Sequence, residues 1–193
     1  MRFLLVRFSA IGDCVMSVPV ATAVRRRFAG AHIVWAAESR CAAVIDSDQL
    51  VTRRHEMPRD RWKRARWTPA TWREQLVAYA SLRKERFEWG LDLQGHTKTA
   101  LCLRIAAPER RLQARATDAL SARMNPLAAG DPTLQHVVDW NMHCLSLLGD
   151  FESAPRWMMP SLTQEKERVQ ALISATRPLA TISVSAGARE KCY

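Results

Sequence analysis

The sequence predicts an α/β fold in which a parallel sheet is covered by helices on both faces. Short apolar segments rich in strand-forming residues alternate with longer segments of helical periodicity. The first two short segments are apolar almost throughout, as strands buried on both faces are. With 193 residues, 48% of them hydrophobic and 25% charged, the chain can bury its own core without a disulfide or a metal ion.

The first elements read strand, loop, helix, strand, helix. Arg2–Phe8 is a short run of strand formers, and the loop Ser9–Asp13 leads into a helix that ends at the Arg25–Arg27 cluster. A second buried strand is expected at Ala31–Ala37, followed by a helix over Glu38–Asp46.

A third strand is expected at Leu50–Arg53, and the cation-rich segment that follows, up to Trp67, lacks a clear period and is expected to be a loop. The next helix places Trp72, Leu76, Tyr79 and Leu82 at helical spacing. The expected elements from there are helix Thr71–Arg86, strand Trp89–Leu93, helix Thr97–Ala106, strand Arg110–Ala114, irregular Ala116–Asp131 and helix Thr133–Leu148.

A domain boundary is expected near residue 160. Phe151–Ser161 contains two prolines and no strong period, which is typical of a connection. A helix over Gln164–Ala175 and a strand over Leu179–Val184 follow. The terminal strand either begins a second domain or adds to the sheet of the first. We expect one domain over residues 1–160, and over 161–193 a linker helix and the first strand of a second, truncated domain.

The charge balance calls for an anionic partner. Lys and Arg number 29 against 19 Asp and Glu, a formal net charge of +10, which suits nucleic acid, phosphorylated lipid or a phosphate-bearing small molecule. Five widely spaced cysteines favour neither a disulfide framework nor a zinc site and fit a reducing cytoplasm. Arg7 and Asp13 interrupt the apolar N-terminus, which argues against a signal peptide. No apolar run is long enough to span a bilayer, so any membrane contact is expected to be peripheral.

Asp13 is the strongest single candidate for a functional residue. It follows the first strand, at the edge where open α/β sheets place their ligands. A helix N-cap is an equal alternative, because an aspartate there accepts backbone N–H groups. The loop lacks both the G-x-G-x-x-G pattern and a phosphate-binding Gly-Lys-Ser/Thr, so no dinucleotide or P-loop site is predicted.

A basic run between Arg53 and Arg66 leaves three interpretations open. It contains seven basic residues against two carboxylates, with Trp62 and Trp67 interleaved. Arginine forks suit phosphate oxygens, so the run predicts a phosphate clamp. A solvated charged face and a nucleic-acid site with stacking tryptophans are the alternatives.

Three further motifs are weaker signals. The turn from Asp92 to Thr99 contains Gly95, which would let a ligand approach a helix N-terminus, and Lys98 could add a cation; ordinary turn chemistry is the alternative. Asp46-Ser47-Asp48 imitates a metal-nucleotide motif but is better explained as a turn. His136 and His143 have no third ligand nearby and are expected to be structural or capping residues.

Four segments together resemble the lipopolysaccharide heptosyltransferases, glycosyltransferase family nine. They are RFLLVRFSAIGDCVMSVPVATAVRRRF, WGLDLQGHTKTAL, HVVDWNMHCLSLLG and SVSAGAREK, of which the S-x-I-G-D loop is the most specific. The resemblance implies a GT-B architecture, with a Rossmann-like acceptor-binding domain first and a nucleotide-sugar domain second. The chain departs from the family where it reads Lys191-Cys192-Tyr193 in place of a Lys-x-Trp-Pro-like continuation.

The resemblance also implies the roles of individual residues. Asp13 would be the general base of an inverting displacement that needs no metal or other cofactor. The family's basic loop, which holds acceptor phosphates, corresponds here to Arg59, Arg61, Lys63 and Arg64, and further acceptor contacts are expected from Ser9, Gly12, Gln94, Gly95 and Lys98. Donor contacts are expected from Lys191, with Ala186 and Gly187.

The expected partners follow from the same resemblance. They are a nucleotide-sugar donor similar to ADP-heptose, a phosphorylated lipopolysaccharide core as acceptor, and the inner face of the cytoplasmic membrane, without nucleic acid. Two alternatives remain: a basic, non-catalytic nucleic-acid-binding domain, and a truncated remnant of the enzyme without activity.

Overall fold

The computed structural model describes residues 1–45, 49–128 and 133–173. The chain divides into two compact units, Met1–Pro160 and Ser161–Tyr193. The strands are β1 Arg2–Val6, β2 His32–Glu38, β3 Arg53–Met57, β4 Trp89–Asp92 and β5 Arg110–Gln113. The helices are α1 Ile11–Val15, α2 Val18–Arg27, α3 Ala42–Ile45, α4 Arg59–Arg64, α5 Pro69–Ser81, α6 Thr97–Ala106, α7 Val137–Ser146 and, in the second unit, α8 Thr163–Leu172. Short 3-10 turns cover Ser39–Cys41, Leu82–Glu85 and Ser121–Arg123.

The five strands form one parallel sheet in the order β3-β2-β1-β4-β5. Leu4 of β1 pairs with Val34 of β2 on one side and Gly90 of β4 on the other. The predicted α/β fold with a parallel sheet flanked by helices is therefore confirmed. In this strand order the carboxyl ends of β1, β2 and β4 meet at one edge, where doubly wound sheets bind ligands.

Side chains of β1 alternate between two apolar layers. Phe3 and Leu5 belong to a core that also contains residues of α2, α3 and α7. Leu4 and Val6 belong to a second core that contains residues of α4, α5 and α6. All four side chains are fully buried, which explains why β1 reads as a continuous apolar run.

The third strand and the segment after it differ from the sequence prediction. β3 begins at Arg53, three residues after the expected start, and the expected loop contains α4. β3 is an edge strand whose first four residues, Arg53 to Glu56, are all at least partly exposed, so hydrophobicity does not reveal it. The expected helix over Glu38–Asp46 is also wrong at its start, because Glu38 is the last residue of β2.

The helix α5 buries only part of the face that its spacing predicts. Thr68 caps it, with its hydroxyl accepting the Thr71 N–H. Tyr79 and Leu82 are buried, whereas the side chains of Trp72 and Leu76 are 52% and 46% exposed.

The remaining motifs have structural roles or lie outside the described residues. His136 caps α7, since its ring nitrogen accepts the Val138 N–H. Cys14, Cys41, Cys102 and Cys144 are free and buried. Asp46-Ser47-Asp48 and the strand expected at 179–184 lie outside the described residues. Within the described ranges, no group of side chains is arranged to hold a metal ion, and every helix is too short or too polar to cross a bilayer.

Candidate active site

Asp13 lies at the carboxyl edge of the sheet, in the first turn of α1. Ala10 rather than Asp13 is the N-cap of this helix. One carboxylate oxygen, Oδ2, accepts the Ala10 N–H at 3.2 Å and lies 2.9 Å from Nη2 of Arg7. The side chain is 46% exposed, and Oδ1 makes no hydrogen bond within the described part of the chain. One oxygen is therefore held by the protein and the other is available to a ligand.

Arg7 is the buried partner of Asp13. It follows β1 directly and is 1% exposed, and its Nη1 donates to the Leu93 carbonyl after β4. A buried guanidinium requires charge compensation, because removing a charge from water costs several kcal/mol. Asp13 supplies that compensation, so Arg7 fixes the position of the carboxylate. The sequence signal for this role is a cation that directly follows an otherwise apolar strand.

The turn after β4 contacts Arg7 and Phe8, the residues that follow β1 and precede Asp13 in the chain. Asp92 is fully buried; its Oδ1 accepts the N–H groups of Gln94 and Gly95, and burial raises its pKa to about 6. Gln94 is 5% exposed, and its Oε1 accepts the Phe8 N–H at 2.9 Å. The side-chain oxygen of Gln94 is thus already engaged with the β1 loop, while its expected contact with an acceptor stays a prediction.

Gly95 is required for a steric reason. Its φ of +76° lies in the left-handed region, and a Cβ placed there would lie 2.1 Å from the Arg115 carbonyl oxygen. Gly12 differs, since a Cβ there would meet no atom within 4 Å. Gly12 is exposed beside the half-exposed Ser9, so both border open space near Asp13.

A cavity of about 490 Å³ lies between α4, α5 and the start of α6. Its lining combines cations with aromatic rings: Arg59, Lys63, Arg66 and Lys98 with Trp62, Trp67, Trp72 and Tyr79, besides Thr97, Gln75 and Leu101. Cations bind phosphate oxygens, and aromatic rings pack against apolar faces of a ligand. The arrangement suits an organic phosphate.

Phe8 connects this cavity to the strand that precedes Asp13. Its ring stacks on Tyr79, with centroids 6.1 Å apart, and the Arg59 guanidinium lies 5.7 Å from its ring centroid. Only residues 9–12 separate Phe8 from Asp13. The carboxylate and the cationic cavity are thus built onto the same strand end.

Glu38 organises the cations of the cavity, and sequence reasoning missed it. This last residue of β2 is 2% exposed. Its carboxylate lies 2.9 Å from Arg40 Nη2, 3.2 Å from Arg59 Nε and 3.9 Å from Lys63 Nζ. The available signal was a carboxylate at the end of an apolar strand, the same signal that identified Asp13.

Lys98 lies among these cations at the start of α6. Burial lowers its pKa to about 8, and the positive charges of Arg59, Lys63 and Arg40 act in the same direction, while Glu38 opposes them. Lys98 therefore gains or loses its proton around pH 8, and a bound anion would favour the charged form.

The structure brings together only part of the expected phosphate clamp. Arg59 and Lys63, one turn apart on α4, line the cavity with Lys98. Arg61 is exposed and contacts Glu74, and Arg64 is exposed and outside the cavity lining. Arg66 takes its place in the cavity. Ala186, Gly187 and Lys191 lie outside the described residues, so the donor contacts stay predictions.

The parallel sheet and its strand order define a doubly wound, Rossmann-like domain, with the candidate site at the carboxyl edge of the sheet. Residues 77–193, more than half of the chain, match the family model "Glycosyltransferase family 9 (heptosyltransferase)". The chain belongs to this family, and the resemblance found in the sequence is confirmed. Among curated proteins, no sequence match was found.

Solved structures share the fold. The chain matches the E. coli heptosyltransferase WaaC with ADP-2-deoxy-2-fluoro heptose at 21% identity and a TM-score of 0.65, over 80% of this chain and 50% of that one. It matches the family 9 glycosyl transferase from Veillonella parvula DSM 2008 at 11% identity and a TM-score of 0.72, over 99% and 55%. For E. coli ADP-heptose lps heptosyltransferase II the identity is 19%, the TM-score 0.65 and the coverage 92% and 53%. The chain therefore spans about half the length of these proteins.

Proposed function

We propose that this chain is the acceptor-binding half of a heptosyltransferase, which transfers heptose from ADP-heptose to the phosphorylated inner core of lipopolysaccharide. The observation that carries the proposal is the pairing of a half-exposed carboxylate, Asp13, with a cation-lined cavity at one sheet edge. Family membership supplies the reaction class, and the WaaC structure with an ADP-heptose analogue supports the nature of the donor.

Asp13 is the general base in this proposal. An acceptor hydroxyl attacks the anomeric carbon, a new C–O bond forms, and the bond to the departing diphosphate breaks with inversion. The hydroxyl proton passes to the carboxylate, whose Oδ1 faces no protein donor in the described chain. Arg7 holds Oδ2 and thereby limits the rotation of the carboxylate.

The cavity holds the acceptor in this proposal. Phosphate groups of the lipopolysaccharide core would bind Arg59, Lys63, Arg66 and Lys98, and sugar rings would pack on the aromatic side chains. Ser9 and Gly12 would adjoin the reacting hydroxyl. Residues 161–193 would begin the donor half, with Lys191, Ala186 and Gly187 near the diphosphate; the reaction would take place at the inner face of the cytoplasmic membrane.

A nucleic-acid-binding role is not proposed, because no observation favours it. The family whose model the chain matches is one of glycosyltransferases.

The test is turnover with ADP-heptose and a phosphorylated core acceptor, in an enzyme in which this chain is extended by the second half of a family 9 protein. Asp13→Asn is expected to lower kcat by about 10²- to 10⁴-fold with little change in the acceptor KM. Asp139→Asn is the matched control, since Asp139 occupies the first turn of α7 as Asp13 does in α1, yet belongs to a different helix. Full activity of Asp13→Asn would overturn the assignment.

A further inference from the structure

An apolar patch is exposed on α5 and on the turn that precedes it. We define it by Trp67, Trp72, Leu76 and Val77, whose exposed fractions are 81%, 52%, 46% and 60%. Trp72 and Leu76 are one turn apart on α5 and therefore adjacent on its surface. Contiguous exposed apolar side chains that include two tryptophans typically mark an interaction surface.

The surroundings of the apolar patch are cationic. From Arg59 to Val77 the chain carries six basic and two acidic residues. Both acidic residues are engaged by cations, Asp60 with Lys63 at 3.7 Å and Glu74 with Arg61. Arg64 and Arg73 form no ion pair with any described residue, and the Arg66 guanidinium lies 5.2 Å from the centroid of the Trp67 ring. The charge of this surface is therefore positive and largely uncompensated.

The apolar patch is continuous with the candidate acceptor cavity. Trp67 and Trp72 contribute to both, and Arg66 lines the cavity as well. A ligand that enters the cavity from this side must pass these rings. A partner that covers the patch would therefore lie at the mouth of the cavity.

We infer that the apolar patch docks this chain onto an anionic lipid bilayer, with Trp67 and Trp72 at the level of the headgroups and Arg64 and Arg73 on lipid phosphates. Tryptophan, amphipathic and ring-shaped, is enriched at membrane interfaces, and arginine binds phosphate oxygens through its planar fork. Apolar residues flanked by uncompensated cations are the combination that peripheral membrane helices use. The inference deepens the proposed function, because a lipid-anchored acceptor would then meet the cavity at the bilayer surface.

The experiment measures binding to vesicles and does not use transferase activity, so its failure and the failure of the proposed function are distinguishable. The full 193-residue chain is sedimented with vesicles of phosphatidylglycerol and phosphatidylcholine in equal parts, and with vesicles of phosphatidylcholine alone. We expect binding to the anionic vesicles that weakens at high salt, together with a blue shift of the tryptophan emission.

Two pairs of variants separate docking from general charge and hydrophobicity. Arg73→Glu is expected to weaken binding about tenfold or more, whereas Arg27→Glu, with the same charge change on α2, should alter it much less. The double change Trp72→Ser and Leu76→Ser should weaken binding severalfold, and Leu147→Ser, which removes a similarly exposed leucine after α7, should not. Both controls lie on elements that pack against the opposite face of the sheet. Circular dichroism verifies that each variant is folded.

Three outcomes would overturn the inference. The first is equal affinity of Arg73→Glu and Arg27→Glu for anionic vesicles. The second is the absence of vesicle binding by the unaltered chain. The third is a concentration-dependent dimer that the Trp72→Ser, Leu76→Ser variant abolishes, since the patch would then be covered by a second copy of the chain.

Discussion

The substitution Glu38→Gln tests whether the buried carboxylate of Glu38 holds the cations of the cavity and sets their charge. Glu38 is buried against Arg59, which is 14% exposed, and against Arg40 and Lys63, which are 47% and 49% exposed. Removing one partner from a fully buried ion pair costs about 3–5 kcal/mol, and from a surface pair about 0–1 kcal/mol. Because Glu38 is buried and two of its three partners are half exposed, we expect a loss of about 2 kcal/mol in the free energy of unfolding.

The substitution should also change how anion binding depends on pH. The pKa of Lys98 is about 8, lowered by burial and by neighbouring cations and held up by the negative charge of Glu38. Without that charge the pKa falls further, so Lys98 loses its proton at a lower pH. Affinity for an anion in the cavity, which is high when Lys98 is protonated and decreases as the pH rises through this pKa, should therefore decline at lower pH in Glu38→Gln.

The assay is a titration with inorganic pyrophosphate between about pH 6 and pH 9, followed by tryptophan fluorescence, because Trp62, Trp67 and Trp72 line the cavity. The ionisation of pyrophosphate itself is common to all variants and cancels in the comparison. Lys98→Met should remove the part of the pH dependence that belongs to Lys98, with or without Glu38.

A matched control for Glu38 is available on the neighbouring strand. Glu56→Gln removes the same charge from a side chain that is 47% exposed and 3.8 Å from Arg54. It should change stability by less than about 0.5 kcal/mol and leave the pH midpoint unchanged. If Glu38→Gln and the unaltered chain showed the same midpoint, Glu38 would have no role in setting the charge of the cavity.

Two further predictions concern the turn after β4, which contains Gly95 and directly follows Asp92. The native pKa of Asp92, about 6, lies above the ordinary value of 3.8, so the contribution of Asp92 to the free energy of unfolding should decrease by about 3 kcal/mol as the pH rises from below 4 through 6. The difference in unfolding free energy between the unaltered chain and Asp92→Asn, measured with urea, should show this decrease, and a difference that does not vary with pH would contradict the assignment. Gly95→Ala should destabilise the chain by about 2 kcal/mol or more, because of its positive φ and the contact with Arg115, whereas Gly12→Ala should be nearly neutral in thermal unfolding; equal stabilities would refute the steric argument.

Sequence reasoning identified the parallel sheet because its central strands carry a simple physical signal. β1 and β2 are buried on both faces, so Leu4, Leu5, Ile33 and Val34 are all apolar whichever way they point. The same reasoning located Asp13, because a carboxylate in the connection between such a strand and the following helix lies near the carboxyl edge of the sheet.

The elements that the sequence prediction misplaced or missed have no such signal. β3 pairs along one side only and is polar, so neither alternation nor a buried run marks it. α4 has six residues, too few to establish a period. With the helix known, Arg59 and Lys63 lie one turn apart on the same face, and Arg66, after the end of the helix, lines the same cavity. Arg61 instead contacts Glu74. The clamp was expected from the composition of the basic run, and its individual members from the family resemblance; only the backbone could separate those that line the cavity from those that do not.

The two ion-pair clusters of the site are arranged alike, each with one buried and one accessible member, but the signs of the charges are reversed. At the end of β1 the cation is buried and the carboxylate is accessible: Arg7 is 1% exposed and Asp13 is 46% exposed. At the end of the adjacent β2 the carboxylate is buried, Glu38 at 3%, and its partner Lys63 is 49% exposed. Buried ion pairs are weak contributors to stability, since apolar replacements often do as well. Their occurrence at two neighbouring strand ends is therefore better explained by orientation: in each cluster the buried charge fixes the accessible one, which places a carboxylate and an array of cations at defined positions along a single edge.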